Sequence, residues 1–440
     1  MKKVLSFFTN SGTAKNAGWL ILGKIVQMAI GFFVGVLTAR YLGPSNYGII
    51  NYIGAYIAFF TALCTLGINS VIVKEIIDHP YCEGEVIGTS IILKSISSFL
   101  SALMIVAIVF VVDKGDPTTV AVAALCSIGA VFNVLETFNY WFQSKLKSKI
   151  TALATLIAYV STAIYRILLV FQGSSVEFFA FASSVDYIVA GVILFVFYKK
   201  FKGPELSFSW EYGKELLKRS SPFIISSLMV AIYGQTDRIM LKQMISETEI
   251  GYYALASDLN MKWCFILSAI ISSMSPSILT AYKNKQMNLF NRNNIILYAI
   301  VFYLSSLVAV LFTILAKPLI QLLYGVAYLP SVEPLRVIAW YTAFSYLGVA
   351  RNAWVVSMNA QKYLKFIYAT AALSNVLLNI VLIPPMGAIG AAIASLIAQI
   401  VTVMIAPFFI KDMRANSILM LKAIDPRVFI NAIVAKKVTK

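Results

Sequence analysis

Apolar runs of about 20 residues, the length needed to cross roughly 30 Å of hydrocarbon, recur along the whole chain and are separated by short polar turns. They predict twelve membrane-spanning helices, over 16–39, 46–73, 86–112, 118–143, 150–171, 176–198, 219–241, 249–280, 292–316, 331–357, 363–383 and 387–410. The connections carry turn chemistry: Leu42-Gly43-Pro44-Ser45-Asn46, Asp113-Lys114-Gly115-Asp116-Pro117, Gln172-Gly173-Ser174-Ser175 and Pro384-Pro385-Met386-Gly387. Glycine and proline stop helices at such places. No connection is long enough to fold on its own, so the pattern specifies an all-α polytopic membrane protein.

Composition agrees and removes several classes of function. Charged residues make up 12% of the chain, about half the share in soluble domains. The net charge of +17 could indicate a nucleic-acid partner, but its distribution does not. With the N-terminus inside, and with charges in the first six residues of a span assigned to the adjoining loop, the cytoplasmic termini and loops hold 25 of the 36 lysines and arginines, the external loops 5 and the helices 6. That is the bias expected of a multi-pass protein of the bacterial inner (plasma) membrane with both termini cytoplasmic, and no nucleic acid is needed. His79 is the sole histidine, and Cys64, Cys82, Cys126 and Cys264 show no ligand spacing. Histidine-based catalysis, metal binding and a phosphate-binding glycine loop are all missing from the pattern, so no enzyme and no cofactor is expected.

A weak internal repeat organises the helices. Leu37–Ile53 is similar to Leu241–Ser257, and Ala180-Phe181-Ala182-Ser183 to Ala392-Ile393-Ala394-Ser395, 212 residues later. Transporters built from two repeats hold their substrate between them. The expected organisation is a six-helix lobe over 1–198, a cytoplasmic linker over 199–218, a second six-helix lobe over 219–410 and a basic tail over 411–440, with a central cavity between the lobes. The tail, with Ile418, Leu419 and Leu421 beside Lys422 and Arg427, reads either as an interfacial helix on anionic lipid or as an unstructured basic extension.

Charges inside the spans are costly and mark functional sites by default. At 1.5 Å rise per residue, Lys24, Lys94 and Lys262 lie near the middle of helices 1, 3 and 8. Lys24, Gln27, Gly31 and Gly35 share one helix face, as do Lys94, Ser97 or Ser98, and Ser101, the stripe expected of a surface turned to protein or water. Arg166, Arg238 and Arg351 lie nearer helix ends, and Arg40 closes the first helix. Snorkelling to headgroups is the alternative for these four. Asp258 and Lys262, at i and i+4, can form a structural pair. Asp237, Glu136 and Asp186 are candidates for proton or sodium coupling or for partners of the cations. The surplus of six in-helix cations over four acids favours an anionic substrate.

The central hairpin Ser221–Trp263 carries an S-P-F opening, a T-D-R-I-M-L run and an E-I-G-Y-Y-A-L-A run. Together with Ala39-Arg40-Tyr41-Leu42-Gly43-Pro44 and with Leu377-Leu378-Asn379 followed by Gly387-Ala388-Ile389-Gly390, it resembles the polysaccharide-repeat (O-antigen type) flippases of the multidrug/oligosaccharidyl-lipid/polysaccharide (MOP) exporter superfamily. The resemblance implies transport of an undecaprenyl-diphosphate-linked oligosaccharide to the periplasmic leaflet by alternating access, for O-antigen (lipopolysaccharide) or related polysaccharide assembly. Its partners would be membrane lipids and other assembly proteins. The diphosphate and sugars would meet a basic cavity formed by Lys24, Arg40, Lys94, Arg166, Arg238, Lys262 and Arg351. A drug or organic-cation antiporter of the same superfamily is one alternative, and a membrane glycan polymerase or ligase another.

Overall fold

The computed structural model describes the backbone of residues 12–438 and the side chains of residues 26–432 other than Ser226 and Tyr233. Among the described residues there are helices and turns and no strand. In chain order the helices are α1 (Gly12–Thr65), α2 (Ile72–Asp78), α3 (Glu83–Val112), α4 (Pro117–Phe132), α5 (Thr137–Ser144), α6 (Ser148–Phe171) and α7 (Val176–Lys200). They continue with α8 (Trp210–Met244), α9 (Glu247–Met261), α10 (Phe265–Lys283), α11 (Met287–Tyr324), α12 (Val332–Ala350), α13 (Asn352–Ser357), α14 (Leu364–Ile400), α15 (Ala406–Phe409), α16 (Lys411–Ile424) and α17 (Pro426–Val438).

Eight described helical stretches are long and apolar enough to cross a membrane. Two of them, Val26–Thr65 and Gln361–Phe409, span 40 and 49 residues, which at 1.5 Å per residue is about twice the hydrocarbon thickness. Each is bent where a glycine adopts positive φ: Gly43 at 71° and Gly387 at 56°. Only glycine takes that conformation freely, so both predicted turns fall where the sequence placed them.

The structure interrupts several spans that periodicity reads as continuous. The second helix stops at Leu66 and Gly67, both at positive φ, and a 3₁₀ turn follows over Ile68–Ser70. A second 3₁₀ segment, Asn133–Glu136, divides α4 from α5. The hydrogen-bond ladder also breaks between α9 and α10 and between α12 and α13. Each break lies beside a polar side chain that contacts another helix, and such tertiary contacts leave no trace in an apolar pattern.

The chain forms two compact units. The first comprises residues up to Leu42 with Ile49–Gln235, and the second comprises Gly43–Gly48 with the chain from Thr236 onward. The first is organised around Ile68, Ile72, Phe138, Trp141, Phe142 and Tyr198. On α3 the usual amphipathic order is inverted. Ser90, Lys94, Ser98 and Ser101 are buried, while Ile96, Phe99, Leu100, Leu103 and Phe110 are exposed, as expected where the outer solvent is lipid and helices meet through small residues. The segment 203–209 packs along the start of α3. Ser207 N–H donates to the Gly84 carbonyl (3.2 Å), and Ser209 N–H donates to Thr89 Oγ1 (3.1 Å). A Cβ at Gly84 would lie 2.0 Å from the Glu205 carbonyl oxygen, so the absence of a side chain permits this approach.

Beyond the spans of the first unit, Glu75 on α2 is buried and accepts from both the Arg219 guanidinium (2.8 and 3.0 Å) and the Tyr212 hydroxyl (3.0 Å). Burial alone would raise the Glu75 carboxyl, but these donors, with His79 nearby, outweigh it and hold the group below its usual 4.5. A carboxyl lowered in the fold contributes stability that is present above its unfolded pKa and lost as pH falls through its folded pKa. Glu75→Gln is therefore expected to lower the melting temperature at pH 7 by a few degrees and to flatten its decline below about pH 5. Parallel melting curves for the two proteins across that range would contradict this role.

The second unit packs around Phe290, Tyr298, Leu347, Trp354, Met413 and Met420. The C-terminal tail is not an unstructured extension. Helix α16 buries Met413 and Met420, Asn416 Nδ2 donates to the Tyr298 hydroxyl (2.6 Å), and the Tyr303 hydroxyl donates to the Ile424 carbonyl (2.6 Å). Its Ile418 and Leu421 remain exposed.

Candidate functional site

Among the described residues, a densely hydrogen-bonded charged centre lies in the second unit, around Asp237 on α8. This carboxylate is 4% exposed and has four side-chain donors. Oδ1 accepts from Asn375 Nδ2 (3.0 Å) and Asn379 Nδ2 (2.6 Å), and Oδ2 from the hydroxyls of Tyr253 (2.7 Å) and Ser395 (2.5 Å). The two asparagines lie one turn apart on α14, before its bend at Gly387, and Ser395 lies after it. The bend thus brings two polar positions of one helix to the same carboxylate. A buried charge is tolerated only when its lone pairs are met in this way. The Asn379 Oδ1 atom is buried without a hydrogen-bond partner. Carboxylate, amide and hydroxyl oxygens are the donor set of a hard monovalent cation or a bound proton.

One residue on, Arg238 points elsewhere. Its Nη2 lies 3.8 Å from Asp258 Oδ1 on α9, and Asp258 Oδ2 accepts from the Tyr47 hydroxyl at 2.5 Å. Tyr47 meets Tyr328 edge to face, with ring centroids 6.4 Å apart, and Tyr328 in turn packs on Tyr324. Asp258 therefore pairs across helices with Arg238. Lys262, just past the end of α9, is exposed.

Arg351 lies in the core of this unit, 1% exposed, rather than near a headgroup. The cause is local. Residues Val401–Ile405 form a π-helix in which Ala406 N–H bonds to the Val401 carbonyl, and Pro407 has no N–H to offer. The Thr402 carbonyl is left over, and Arg351 Nη1 donates to it at 3.3 Å. A buried carbonyl must find a donor, and Arg351 supplies it. The Arg351 Nε is buried without a partner.

In the first unit Lys94 is 1% exposed, and its ammonium donates to Asn69 Oδ1 (3.0 Å) and Thr137 Oγ1 (3.1 Å). Both partners are neutral. They sit at helix interruptions, Asn69 in the 3₁₀ turn after Gly67 and Thr137 directly after Glu136, and Glu136 is within Coulombic reach of the lysine. Arg166 on α6 and Asp186 on α7 line one cavity of about 210 Å³ with Gly31, Tyr159 and Thr162. Arg40 is exposed near the Gly43 turn. The Lys24 side chain lies outside the described residues.

Residues 13–281, more than half of the chain, match the family described as polysaccharide biosynthesis protein. The chain belongs to this family. Among curated proteins, an uncharacterized membrane protein of Methanocaldococcus jannaschii is 22% identical over 421 residues, 87% of this chain and 80% of that protein. Among solved structures, the lipid II flippase MurJ in an inward closed conformation is similar at a TM-score of 0.66 and 17% identity, over 92% of this chain and 91% of MurJ. An inward-facing MATE multidrug resistance transporter of the MOP superfamily gives 0.65 and 15%, over 90% and 99%. A MOP superfamily transporter from Pyrococcus furiosus gives 0.64 and 13%, over 93% and 97%. The fold of this polysaccharide biosynthesis protein is therefore that of the MOP transporters and flippases, as its sequence motifs imply.

Reading the sequence of this family member for charge alone passes over the neutral partners that hold those charges. Asn375, Asn379, Ser395 and Tyr253 surround Asp237, and Asn69 and Thr137 surround Lys94. One signal was available: Asn375 and Asn379 stand at i and i+4 in an otherwise apolar run, a polar stripe of the kind recognised around Lys94.

Proposed function

We propose that this protein is a flippase that carries an undecaprenyl-diphosphate-linked oligosaccharide repeat unit from the cytoplasmic to the periplasmic leaflet of the inner membrane, for O-antigen or related surface polysaccharide. The observation that carries the reading is membership of a polysaccharide biosynthesis family by a chain with a transporter fold whose predicted spans, beyond their first six residues, hold six cations against four acids. Helices 1–6 (1–198) and 7–12 (219–410) act as lobes in alternating access, joined by the linker 199–218, with both termini cytoplasmic. Arg238 and Lys262 of the second unit meet the diphosphate as it passes, and Arg40 of the first unit is a separate candidate for the same role, since guanidinium and ammonium groups bind phosphate oxygens through charge-assisted hydrogen bonds. Lys94 and Arg351, both buried, act from within their units by fixing helix interruptions and contributing positive potential.

Asp237 is the coupling centre in this scheme. A proton or sodium ion bound to its carboxylate, with the amide oxygens of Asn375 and Asn379 and the Ser395 hydroxyl, neutralises a charge that otherwise stays buried, so binding and release bias the second unit between two states. Amide oxygen and nitrogen exchange by rotation of the side chain, and the same asparagines serve the empty and the loaded carboxylate.

The test is the location of the lipid-linked sugar pool in a strain lacking the gene. Repeat units are expected to accumulate on the cytoplasmic leaflet and to return to the periplasmic leaflet when the intact gene is restored. Units that reach the periplasmic leaflet without the gene and stay unpolymerised would assign the chain to polymerisation instead.

A further inference from the structure

The cavity between α1, α6 and α7 of the first unit is closed in by parts that a diphosphate does not need. Its walls include two aromatic rings, Tyr159 and Tyr187, the hydroxyls of Thr162 and Ser183, and one charge of each sign, Arg166 and Asp186. No ion pair joins these two charges among the described residues, and the Arg166 Nε and Thr162 Oγ1 atoms are buried without hydrogen-bond partners. The cavity thus presents unused polar atoms beside an acceptor carboxylate and aromatic faces.

Charge decides the ligand class. An isolated arginine would select an anion and an isolated aspartate a cation. With both lining the cavity their charges sum to zero, and the best occupant is a neutral molecule rich in hydroxyls that can donate to Asp186 and accept from Arg166. Size narrows the choice further. At about 210 Å³ the cavity holds about seven waters of roughly 30 Å³ each, below the usual 300 Å³ or more of drug-sized ligand pockets. That is room for a single sugar ring.

We infer that this cavity binds one neutral hexose or N-acetylhexosamine residue of the transported oligosaccharide, making it a sugar-reading subsite in the first unit, apart from the cations that meet the diphosphate. The assignment rests on the flippase reading for its biological ligand. Gly31 makes the site possible. A Cβ at this position would lie 2.0 Å from the Tyr159 hydroxyl oxygen. A larger residue therefore pushes the flexible end of Tyr159 away and reshapes the cavity without altering its charge.

The full-length protein in nanodiscs would be examined by saturation-transfer NMR with the methyl glycosides of glucose, galactose, mannose and N-acetylglucosamine, and separately by titration with inorganic phosphate. At least one glycoside should receive saturation, with binding weakened tenfold or more in Gly31→Val and in Asp186→Asn at unchanged melting temperature. Asp186→Asn reads the same loss should Gly31→Val not fold. Saturation of none of the four, or saturation equal in wild type and both variants, would overturn the assignment. So would phosphate binding that Arg166→Gln abolishes, since the cavity would then be an anion site. Binding is read here without transport, so a failed subsite leaves the leaflet experiment standing. Sugar binding in a protein that does not move lipid-linked sugars would overturn the flippase reading alone.

Discussion

Asp237→Ala is expected to abolish surface polysaccharide and to cost the fold several kcal/mol. The substitution removes one carboxylate and leaves four buried donors, from Tyr253, Asn375, Asn379 and Ser395, without their acceptor. Each unsatisfied buried group costs about 1–3 kcal/mol, reduced where water refills the void. Loss of export by this variant alone would therefore not separate transport from folding. Asp237→Asn does so, because it keeps the volume and most of the hydrogen bonds while removing the charge. It should fold with a melting temperature within a few degrees of wild type, yet export polymer at one tenth of the normal rate or less and lose any response to a sodium or proton gradient. Normal polymer in a folded Asp237→Asn protein would remove Asp237 from the coupling cycle and leave it a structural acceptor.

The second large effect is expected from a substitution with no charge at all. A Cβ at Gly251 would lie 2.0 Å from the Pro44 carbonyl oxygen, and one at Gly48 would lie 1.8 Å from that of Glu247. In both places the obstacle is main chain, which cannot swing aside as a side-chain terminus can. Overpacking in well-packed cores costs about 1–3 kcal/mol, and a clash between two backbones belongs at or above the top of that range. Gly251→Val should yield little folded protein in detergent. Gly54→Ala, whose new methyl group meets open space, is the control and should be neutral or slightly stabilising through helix propensity. A Gly251→Val protein that melts with wild type would mean that the close approach of these helix starts is not required.

Glycine also shows how far the sequence could be read. Gly43 directly precedes Pro44 and Gly387 follows Pro384-Pro385 by two residues, and the turns were legible because the requirement is local: a positive φ that other residues resist. At Gly48 and Gly251 the requirement is a second segment some 200 positions away, and nothing near either residue announces it. The charges divide in the same way. Depth along a helix identified Lys94 as costly, mere position inside a span marked Asp237, and the polar stripe on α3 predicted the buried face that carries Lys94, Ser98 and Ser101. The partners that stabilise these charges are neutral, come from other helices and were passed over. Arg351 illustrates the limit most clearly. Its burial follows from a π-helix and a proline some 50 residues later, a coincidence visible only once the chain is folded.

The six residues Gly43–Gly48 have a consequence for biogenesis. They are made long before Thr236, yet they belong to the unit completed by the chain from that residue onward, and their hydrogen-bond partners lie 202 and 211 positions later. At about 5–20 residues per second of synthesis, the first hairpin waits about 10–40 s in the membrane before Glu247 and Asp258 exist. During that interval its tip, with the later acceptors of the Ser45 and Tyr47 hydroxyls not yet made, depends on water, lipid headgroups or an insertion chaperone. The ribosome therefore finishes the second unit around a piece of chain it placed there long before.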